Sequence, residues 1–310
     1  MKLSLFDLHC DTPYEMFRQK QSLDRNHLAV SLQEAEPFER YVQVMAFWAE
    51  SDLSDAEGWQ RFLQMHQNLL SDAAVANGRA RITRTYSNSL SDQRSLILAV
   101  EDARILENDL SRVDILKELG VRILTPLWAN NSCIGGAHNT QNGLTVFGKK
   151  ALRKALSNGI LLDISHASVR AAQEIAELCK ESQRPILATH SNAYEICPVS
   201  RNLHNEQIRQ IIDSDGLIGL NLYQGFIKQT KKPTLDDLLF HIEHFLTLGA
   251  IDHLCIGGDM DGCDLLDEIP KLSALPRLAE KLLQKNYPER LIHKFFFENA
   301  DRFAKKYFTK

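Results

Sequence analysis

Short apolar runs recur along the chain, and most of them are followed by a segment in which apolar residues return with helical spacing. A short apolar run that ends abruptly in a polar cluster is typical of a buried parallel strand. The pattern predicts eight such strands, which begin at Leu3, Val42, Ser95, Val121, Ile160, Pro185, Leu217 and His253.

The segments between these runs have the periodicity of amphipathic helices. They predict helices over residues 55–74, 103–119, 145–157, 168–181, 205–214 and 234–248, with two more after the last strand. Ser168 and Thr234 stand where helix N-caps are expected. Gly120, Gly159 and Gly249 each follow a predicted helix, where a left-handed residue is needed to reverse the chain.

Eight strand–helix units within 310 residues predict a (β/α)₈ barrel of the TIM type, with an open doubly wound sheet as the alternative. No linker rich in Pro or Gly divides the chain, so residues 1–310 are predicted to form a single catalytic barrel domain. The longest irregular piece, residues 129–143, follows the fourth strand. A loop of this length in a compact domain is typically a lid or a binding loop.

The composition, with 44% hydrophobic and 25% charged residues, is that of an ordinary soluble globular protein. A net charge of -4 provides no general attraction to nucleic acid or to an anionic membrane, and it is compatible with a small substrate. No apolar run approaches the roughly 20 residues that span a bilayer, and the first residues lack a signal-peptide pattern. The six cysteines have no C-x-x-C spacing and are expected to be reduced thiols. These features predict a cytoplasmic protein.

Residues that can bind metal stand at the ends of five predicted strands. They are His9 and Asp11 of an H-x-D motif after the first strand, Glu101 after the third, His166 after the fifth, His190 after the sixth and Asp259 after the eighth. Because the carboxyl ends of barrel strands meet at one face, these side chains are expected to share one site. Positions i and i+2 of an extended segment face the same side, so the histidine and aspartate of H-x-D can converge on one ion.

Three histidines and three carboxylates exceed the four ligands that one structural zinc ion takes. Two ions use them better, since Glu101 can give one oxygen to each metal and hold the pair roughly 3.5 to 4 Å apart around a shared hydroxide. A free carboxylate nearby can then move the proton. A lone histidine after a strand is more often a hydrogen-bonding cap, so the prediction depends on the whole set. His138, in the long loop, is a further candidate, whereas Asp261 is equally suited to capping a turn at Gly262.

Seven motifs occur in order along the chain: HCDTP from His9, VED around Glu101, RILTPLWANN from Arg122, NGLTVFGKKALR from Asn142, LLDISHAS from Leu161, ATHSNAYEICPVSRNL from Ala188 and IGGDMDG from Ile256. Together they resemble the membrane dipeptidase (renal dipeptidase) family of zinc peptidases, a branch of the amidohydrolase-like barrels. The resemblance extends over the whole chain, and the ordered set is far more specific than any single motif. It implies that one zinc ion is held by His9, Asp11 and Glu101, and the other by Glu101, His166 and His190.

The same resemblance implies Asp259 as the proton-handling carboxylate. It also implies Arg201 as the group that binds the terminal carboxylate of the substrate, a role that suits a bidentate guanidinium. Two positions depart from the family pattern. Trp128 stands where many members have a histidine that contacts the substrate, and its indole N–H can donate one hydrogen bond in that place. Asp102 stands where the family tends to have glycine.

We therefore predict a metallopeptidase in which a hydroxide bridging two zinc ions attacks the peptide bond of a free dipeptide, with a homodimer favoured by the family resemblance. Another amidohydrolase-type activity at the same binuclear site, such as that of a lactonase or deaminase, is the alternative because of Trp128. A third hypothesis is a non-catalytic protein that binds a metal or a ligand.

Overall fold

Parallel strands close into a barrel in the computed structural model, which describes residues 2–87, 94–229 and 232–308. The strands are β1 (Leu3–Cys10), β2 (Phe38–Phe47), β3 (Ala80–Ile82), β4 (Arg94–Glu101), β5 (Val121–Thr125), β6 (Leu161–Asp163), β7 (Ile186–Ala188), β8 (Leu217–Leu220) and β9 (Leu254–Ile256). β1 pairs with both β2 and β9, β2 pairs with β4, and the pairing then runs in order from β4 to β9. The predicted (β/α)₈ barrel is confirmed, because an open sheet would leave two strands without a second neighbour.

Each of the eight predicted strands is present, and the apolar pattern missed only β3 among the strands of the described residues. β3 is three residues long and pairs with β4 at Arg94 to Leu96. β5 joins the same side of β4 further along, where Val121 pairs with Leu98. β3 therefore extends the sheet beside the barrel and is not one of the eight strands that form the barrel.

Alternate side chains of the strands fill the inside of the barrel, because successive residues of a strand face opposite sides. Phe6, Val44 and Ile97 belong to this inner cluster. Phe297 and Phe303, from the C-terminal segment, pack into the same cluster. The amino-terminal end of the barrel is thus closed by apolar side chains, and the carboxyl end is left for polar groups.

The helices outside the barrel are α1 (Thr12–Gln19), α2 (Asp55–Ser71), α3 (Ala73–Ala76), α4 (Ser111–Glu118), α5 (Val146–Ser157), α6 (Val169–Glu181), α7 (Asn205–Asp213), α8 (Gln224–Ile227), α9 (Leu235–Thr247), α10 (Pro276–Gln284), α11 (Glu289–His293) and α12 (Asn299–Tyr307). A π-helical segment, Lys294–Glu298, joins α11 to α12. α1 and α8 were not predicted. In the described part of the chain, no helix combines the length and apolar character needed to cross a membrane.

Several helix ends match the signals in the sequence. The Ser168 hydroxyl accepts a hydrogen bond from the backbone N–H of Ala171 at 2.9 Å, as expected for an N-cap. Gly120, Gly159 and Gly249 have φ angles of 94°, 75° and 92°, so each adopts the left-handed conformation that ends a helix. These local signals set the lengths of the helices that surround the barrel.

The helix predicted over residues 103–119 is wrong as a single element. The structure has a 3₁₀ turn, Ala103–Leu106, followed by α4. Between them Glu107 and Asn108 have φ angles of 48° and 60°, which no right-handed helix accommodates. The apolar spacing is continuous across this break, so periodicity alone does not reveal it.

Candidate metal centre

The six residues predicted from the strand ends meet at the carboxyl face of the barrel. Glu101 is the last residue of β4, His9 lies near the end of β1, and the others follow strand ends within three residues. His9, Glu101 and His190 are 1%, 3% and 0% exposed. Such burial of titratable groups costs free energy unless each is paired or binds an ion.

Glu101 lies at the middle of the cluster and turns one oxygen to each side. Its Oε1 is 2.8 Å from Nε2 of His166 and 3.4 Å from Nε2 of His190. Its Oε2 is 3.7 Å from Nε2 of His9, which is in turn 3.7 Å from Oδ2 of Asp11. The arrangement has the two halves that the sequence predicted, with Glu101 common to both.

Three buried atoms in this cluster have no hydrogen-bond partner within the described residues: His9 Nε2, Asp11 Oδ1 and Glu101 Oε1. They are an imidazole nitrogen and two carboxylate oxygens, which are the donor types that zinc prefers. Ligand atoms of His9, Glu101 and His190 lie within 4.8 Å of one another, and so do those of His9, Asp11 and Asp259. These two groups share His9 and so differ from the two ligand sets that the family resemblance implies, but each offers three donor residues to a bound cation.

Trp128 and the loop that follows it, residues 129–143, hold His166 in place. Nδ1 of His166 donates to the carbonyl of Trp128 at 3.0 Å, and the carbonyl of His166 accepts from the backbone N–H of His138 at 2.7 Å. A carbonyl can only accept, so the proton of His166 is on Nδ1 and its Nε2 carries a free lone pair toward Glu101. The predicted binding loop thus contributes to the site by orienting a ligand.

The electrostatics of the cluster reflect closely spaced carboxylates. Burial raises the pKa of Asp11 to about 7, and the negative charge of Glu101 adds to this effect. Burial also acts to raise the pKa of Glu101, but its interactions with the neighbouring imidazoles of His166 and His9 outweigh it and lower that pKa well below its usual range. Burial and the charge of Arg201 lower the pKa of His166 to about 3. His166 is therefore neutral and free to act as a ligand.

Asp259 is held in position by Asn221. The Asn221 amide donates to Oδ2 of Asp259 at 3.0 Å and to the carbonyl of His190 at 3.2 Å. Burial acts to raise the pKa of Asp259, but its interactions with the imidazoles of His190 and His9 and the hydrogen bond from Asn221 outweigh it, so this pKa is lowered. The side chain is an ionised carboxylate beside the cluster, as a proton acceptor must be.

Asp261 anchors a turn. Its two carboxylate oxygens accept from the hydroxyl of Thr12 and from the backbone N–H of Ala29, both at 2.7 Å. Asp261 therefore has a structural role, but its carboxylate binds Thr12 and Ala29, whereas the backbone N–H of Gly262 donates to the carbonyl of Asp259. The next residue, Gly262, lies directly against the centre, because a Cβ built there would overlap Oδ2 of Asp11 and approach Oδ1 of Asp259.

A cavity of about 400 Å³ opens beside the cluster, lined by Asp11, Glu101, Trp128, His166, Arg201, Tyr223, Phe226, Asp259, Gly262, Cys263 and Asp264. Arg201 is 6% exposed, and its guanidinium lies 5.0 Å from the centre of the Phe226 ring. Its Nη2 donates to the carbonyl of His190 at 3.5 Å. Within the described residues it has no carboxylate at ion-pair distance, and burial lowers its pKa. A buried, unpaired cation facing a cavity is suited to an anionic ligand group.

Trp128 stands at the mouth of this cavity, in the position predicted to contact substrate. Its ring packs against Trp48, with the ring centres 5.1 Å apart, and lies 6.4 Å from His166. His138, the further candidate from the loop, has its ring 6.0 Å from His166 and its Nδ1 2.8 Å from the Ser200 hydroxyl. Burial and the charge of Arg201 lower the pKa of His138 to about 4, so it is neutral.

Asp102, the second departure from the family pattern, turns away from the metal cluster. Its Oδ2 lies 3.1 Å from Nε of Arg104, and its φ is 72°. Glycine adopts this left-handed conformation freely, and aspartate is one of the few other residues that tolerate it. The backbone conformation thus accounts for the family preference and for the substitution.

Two polar residues, Asp163 and Thr189, escaped the sequence prediction although both lie within the quoted motifs. They stand two residues beyond Leu161 and Leu187, which belong to the inner cluster of the barrel. Both are almost wholly buried and hydrogen-bonded to each other beneath the histidines. The signal available in the sequence was the alternation along the strands, which places them on the inner face.

The chain is thus a (β/α)₈ barrel with a histidine–carboxylate cluster at the carboxyl face of its strands, where barrel enzymes have their active sites. Within that class the chain belongs to the membrane dipeptidase family: the family model described as membrane dipeptidase (peptidase family M19) matches residues 1–308. The resemblance read from the motifs is confirmed.

Several individual proteins are similar to this chain. An uncharacterised protein from the pqqA 5′ region of Klebsiella pneumoniae is 28% identical over 263 residues, which cover 80% of this chain and 94% of that protein. The crystal structure of a metallopeptidase from Rhodobacter sphaeroides, liganded with a phosphinate mimic of the dipeptide L-Ala-D-Ala, has a TM-score of 0.90 at 24% identity, covering 99% of this chain and 100% of that one. A probable dipeptidase from Pseudomonas aeruginosa has a TM-score of 0.87 at 18% identity, covering 98% and 95%. At these identities the two structures show that the fold is shared.

Proposed function

We propose that this protein is a zinc-dependent dipeptidase that hydrolyses the peptide bond of free dipeptides. The observation that carries the proposal is the position of Arg201, an unpaired buried guanidinium that shares a cavity of about 400 Å³ with the candidate metal ligands Glu101 and His166. Arg201 thereby recognises the terminal carboxylate of a substrate by charge, which places the scissile peptide bond beside the metal ligands.

The size of the substrate follows from this clamp. The guanidinium can donate two parallel hydrogen bonds, one to each oxygen of a terminal carboxylate. A cavity of about 400 Å³ is near the lower end of the range for small-molecule sites. A peptide extended at its C-terminus would have no carboxylate within reach of Arg201 when its scissile bond lies at the cluster, and the small cavity limits extension at the N-terminus.

The metal ligands are proposed to be His9, Asp11 and Glu101 on one side and Glu101, His166 and His190 on the other. When bound there, two zinc ions would acidify a water molecule held between them and polarise the scissile carbonyl.

The chain itself supplies the proton transfer. The ionised carboxylate of Asp259 takes the proton of the attacking water and delivers it to the leaving amine. Asn221 holds that carboxylate by its hydrogen bond to Oδ2, so that the other oxygen faces the reaction.

The phosphinate dipeptide mimic bound by the Rhodobacter sphaeroides peptidase supports a dipeptide substrate. Its second residue is of the D configuration, which makes stereochemistry at the C-terminal position a property to measure. The cytoplasmic location and the homodimer remain predictions, from the sequence pattern and from the family resemblance respectively.

The test uses the purified protein reconstituted with zinc and a library of L,L and L,D dipeptides. We expect two zinc equivalents per chain, hydrolysis of free dipeptides, and loss of activity when the C-terminus is amidated. Equal rates on amidated and free dipeptides would refute the carboxylate clamp. Metal binding without hydrolysis of any dipeptide, with turnover of lactones or other small amides, would favour the alternative activity.

A further inference from the structure

The hydroxyl of Thr189 lies between two of the candidate metal ligands, one from each half of the centre. Its Oγ1 is 2.8 Å from Nδ1 of His190 and 3.3 Å from Nδ1 of His9. The centres of the two imidazole rings lie 3.8 Å apart, and the ring planes are tilted by 42° to each other. Each ring turns its other nitrogen toward Glu101, His190 toward Oε1 and His9 toward Oε2. A single hydroxyl thus contacts one histidine from each half of the cluster, at the ring nitrogen that faces away from Glu101.

The proton of this hydroxyl is already committed. Oγ1 of Thr189 lies 2.5 Å from Oδ2 of Asp163. The same carboxylate accepts four more hydrogen bonds, from the Thr125 hydroxyl at 2.6 Å, from the Ser165 hydroxyl at 2.7 Å, and from the backbone N–H groups of Ser165 and Thr189 at 3.0 and 2.9 Å. All five partners are donors, so Asp163 acts only as an acceptor.

Because its only proton goes to Asp163, Thr189 can only accept from the two imidazoles. In the neutral rings both Nδ1 atoms then carry the proton, and both Nε2 atoms keep lone pairs directed at Glu101. This is the tautomer that a metal ligand needs when it binds through Nε2.

The barrel makes this contact possible. Thr125 ends β5, Asp163 ends β6 and Thr189 follows β7 directly. Neighbouring parallel strands place these inward-facing residues side by side. The Ser165 hydroxyl, itself held by Asp163, accepts from the backbone N–H of His190 at 3.1 Å and so fixes the start of that turn.

We propose that Thr189 is a positioning residue that sets the metal-binding tautomer of His9 and His190 together, with Asp163 orienting its hydroxyl. The inference rests on the metal centre of the proposed function and deepens it. Loss of the acceptor is expected to weaken both metal positions at once, since each loses the orientation of one ligand. His166 is held independently by the Trp128 carbonyl and keeps its own orientation.

The test compares Thr189→Val, which keeps the shape of the side chain and removes the acceptor, with Thr189→Ser, which restores a hydroxyl. Thr125→Val is the matched control, because it removes one bond to Asp163 and no contact with an imidazole. The readout is zinc affinity at each site, from chelator competition followed by metal analysis. We expect Thr189→Val to lose about 10- to 100-fold in zinc affinity at both sites, as removal of a partner of a ligating histidine typically does. Thr189→Ser and Thr125→Val should remain near wild type.

Nitrogen-15 NMR of histidine-labelled, zinc-loaded wild type shows which nitrogen of each ring keeps its proton, without any substitution. We expect the Nδ1–H form for His9 and His190. An Nε2–H form for either ring would overturn the proposal, as would zinc affinities of Thr189→Val within about twofold of wild type or a loss confined to one site. This outcome is distinct from failure of the proposed function, which would be a zinc-replete wild type that binds both ions and cleaves no dipeptide.

Discussion

The Nε2 atoms of His166 and His190 lie 2.9 Å apart, and both face Oε1 of Glu101. Each ring uses its Nδ1 on an acceptor, the Trp128 carbonyl for one and the Thr189 hydroxyl for the other. Two lone pairs and a carboxylate oxygen directed at one point repel one another unless a cation lies between them. Bound metal is therefore expected to hold together a cluster that is self-repulsive without it.

Zinc should accordingly stabilise the folded protein. A ligand that binds only the native state raises the free energy of unfolding by about 2.7 kcal/mol per site at a free concentration 100 times its dissociation constant. Denaturant unfolding with and without zinc measures this increment. The double variant His166→Ala/His190→Ala should lose the part that belongs to their shared site, and an unchanged increment would show that zinc binds elsewhere.

Replacing Asp259 with Asn should separate proton transfer from metal binding. The amide has nearly the same shape as the carboxylate but cannot accept the proton of the attacking water. Loss of a general base typically lowers the rate about 10²- to 10⁴-fold, and we expect a fall in kcat of that order with zinc content maintained. A kcat within a few-fold of wild type would exclude Asp259 from the proton transfer.

Arg201→Met should weaken recognition of the substrate terminus. Hydrogen bonds to charged groups are worth about 1.5 to 3 kcal/mol, which corresponds to roughly a 10- to 150-fold fall in kcat/KM. Arg201→Lys keeps the charge but loses the bidentate geometry, so its kcat/KM should lie between those of the wild type and Arg201→Met. The kinetics are measured on free dipeptides, and an unchanged KM in both variants would contradict the clamp.

Gly262→Ala should damage the centre by contact alone. The added Cβ would overlap Oδ2 of Asp11 and crowd Oδ1 of Asp259, so both carboxylates must shift. We expect a lower zinc affinity and a lower kcat, measured by metal analysis and steady-state kinetics. The unfolding temperature of the zinc-free variant serves as control, because a fold-wide effect would lower it, whereas a local clash should leave it near that of wild type.

His241 should make the protein sensitive to acid. The ring is 0% exposed, its Nδ1 accepts from the backbone N–H of Ala193 at 3.1 Å, and its Nε2 donates to the carbonyl of Ile227 at 2.9 Å. Burial lowers its pKa to about 4, with His244 lowering it further and Asp237 opposing. Protonation must break the bond from Ala193.

The direction of this pH effect follows from the linkage between proton binding and folding. Between pH 6.5 and 4 the unfolded chain binds a proton at His241 and the folded chain does not, so the free energy of unfolding falls as the pH drops through this window. From pH 7 to 5 this residue accounts for a loss of at most about 2 kcal/mol. Urea unfolding of wild type and His241→Gln at both pH values measures it. An equal pH-dependent loss in the two proteins would show that other groups are responsible.

The sequence predicted that His9 and Asp11 of the H-x-D motif converge, but it assumed a regular strand that the structure does not have. His9 and Asp11 do converge, but β1 ends at Cys10 and Asp11 has φ and ψ angles of -94° and 16°, which are not those of a strand. The register also slips, because three steps from Asp7 to Cys10 oppose two steps on β2. The extra residue allows both Leu8 and His9 to face the inside of the barrel. Simple alternation does not foresee such a bulge.

The sequence by itself determined the eight strands, most of the helices and the identity of the polar residues at the strand ends. Those features are local, since apolar periodicity and helix caps act within a few residues. Only the tertiary structure decided that Thr189 would lie against His9, 180 residues away along the chain, and that Arg201 would be buried without a counter-ion. Both features depend on the closure of the barrel. Side chains from strands that are distant in the sequence share hydrogen bonds and exclude water only once β1 and β9 have paired.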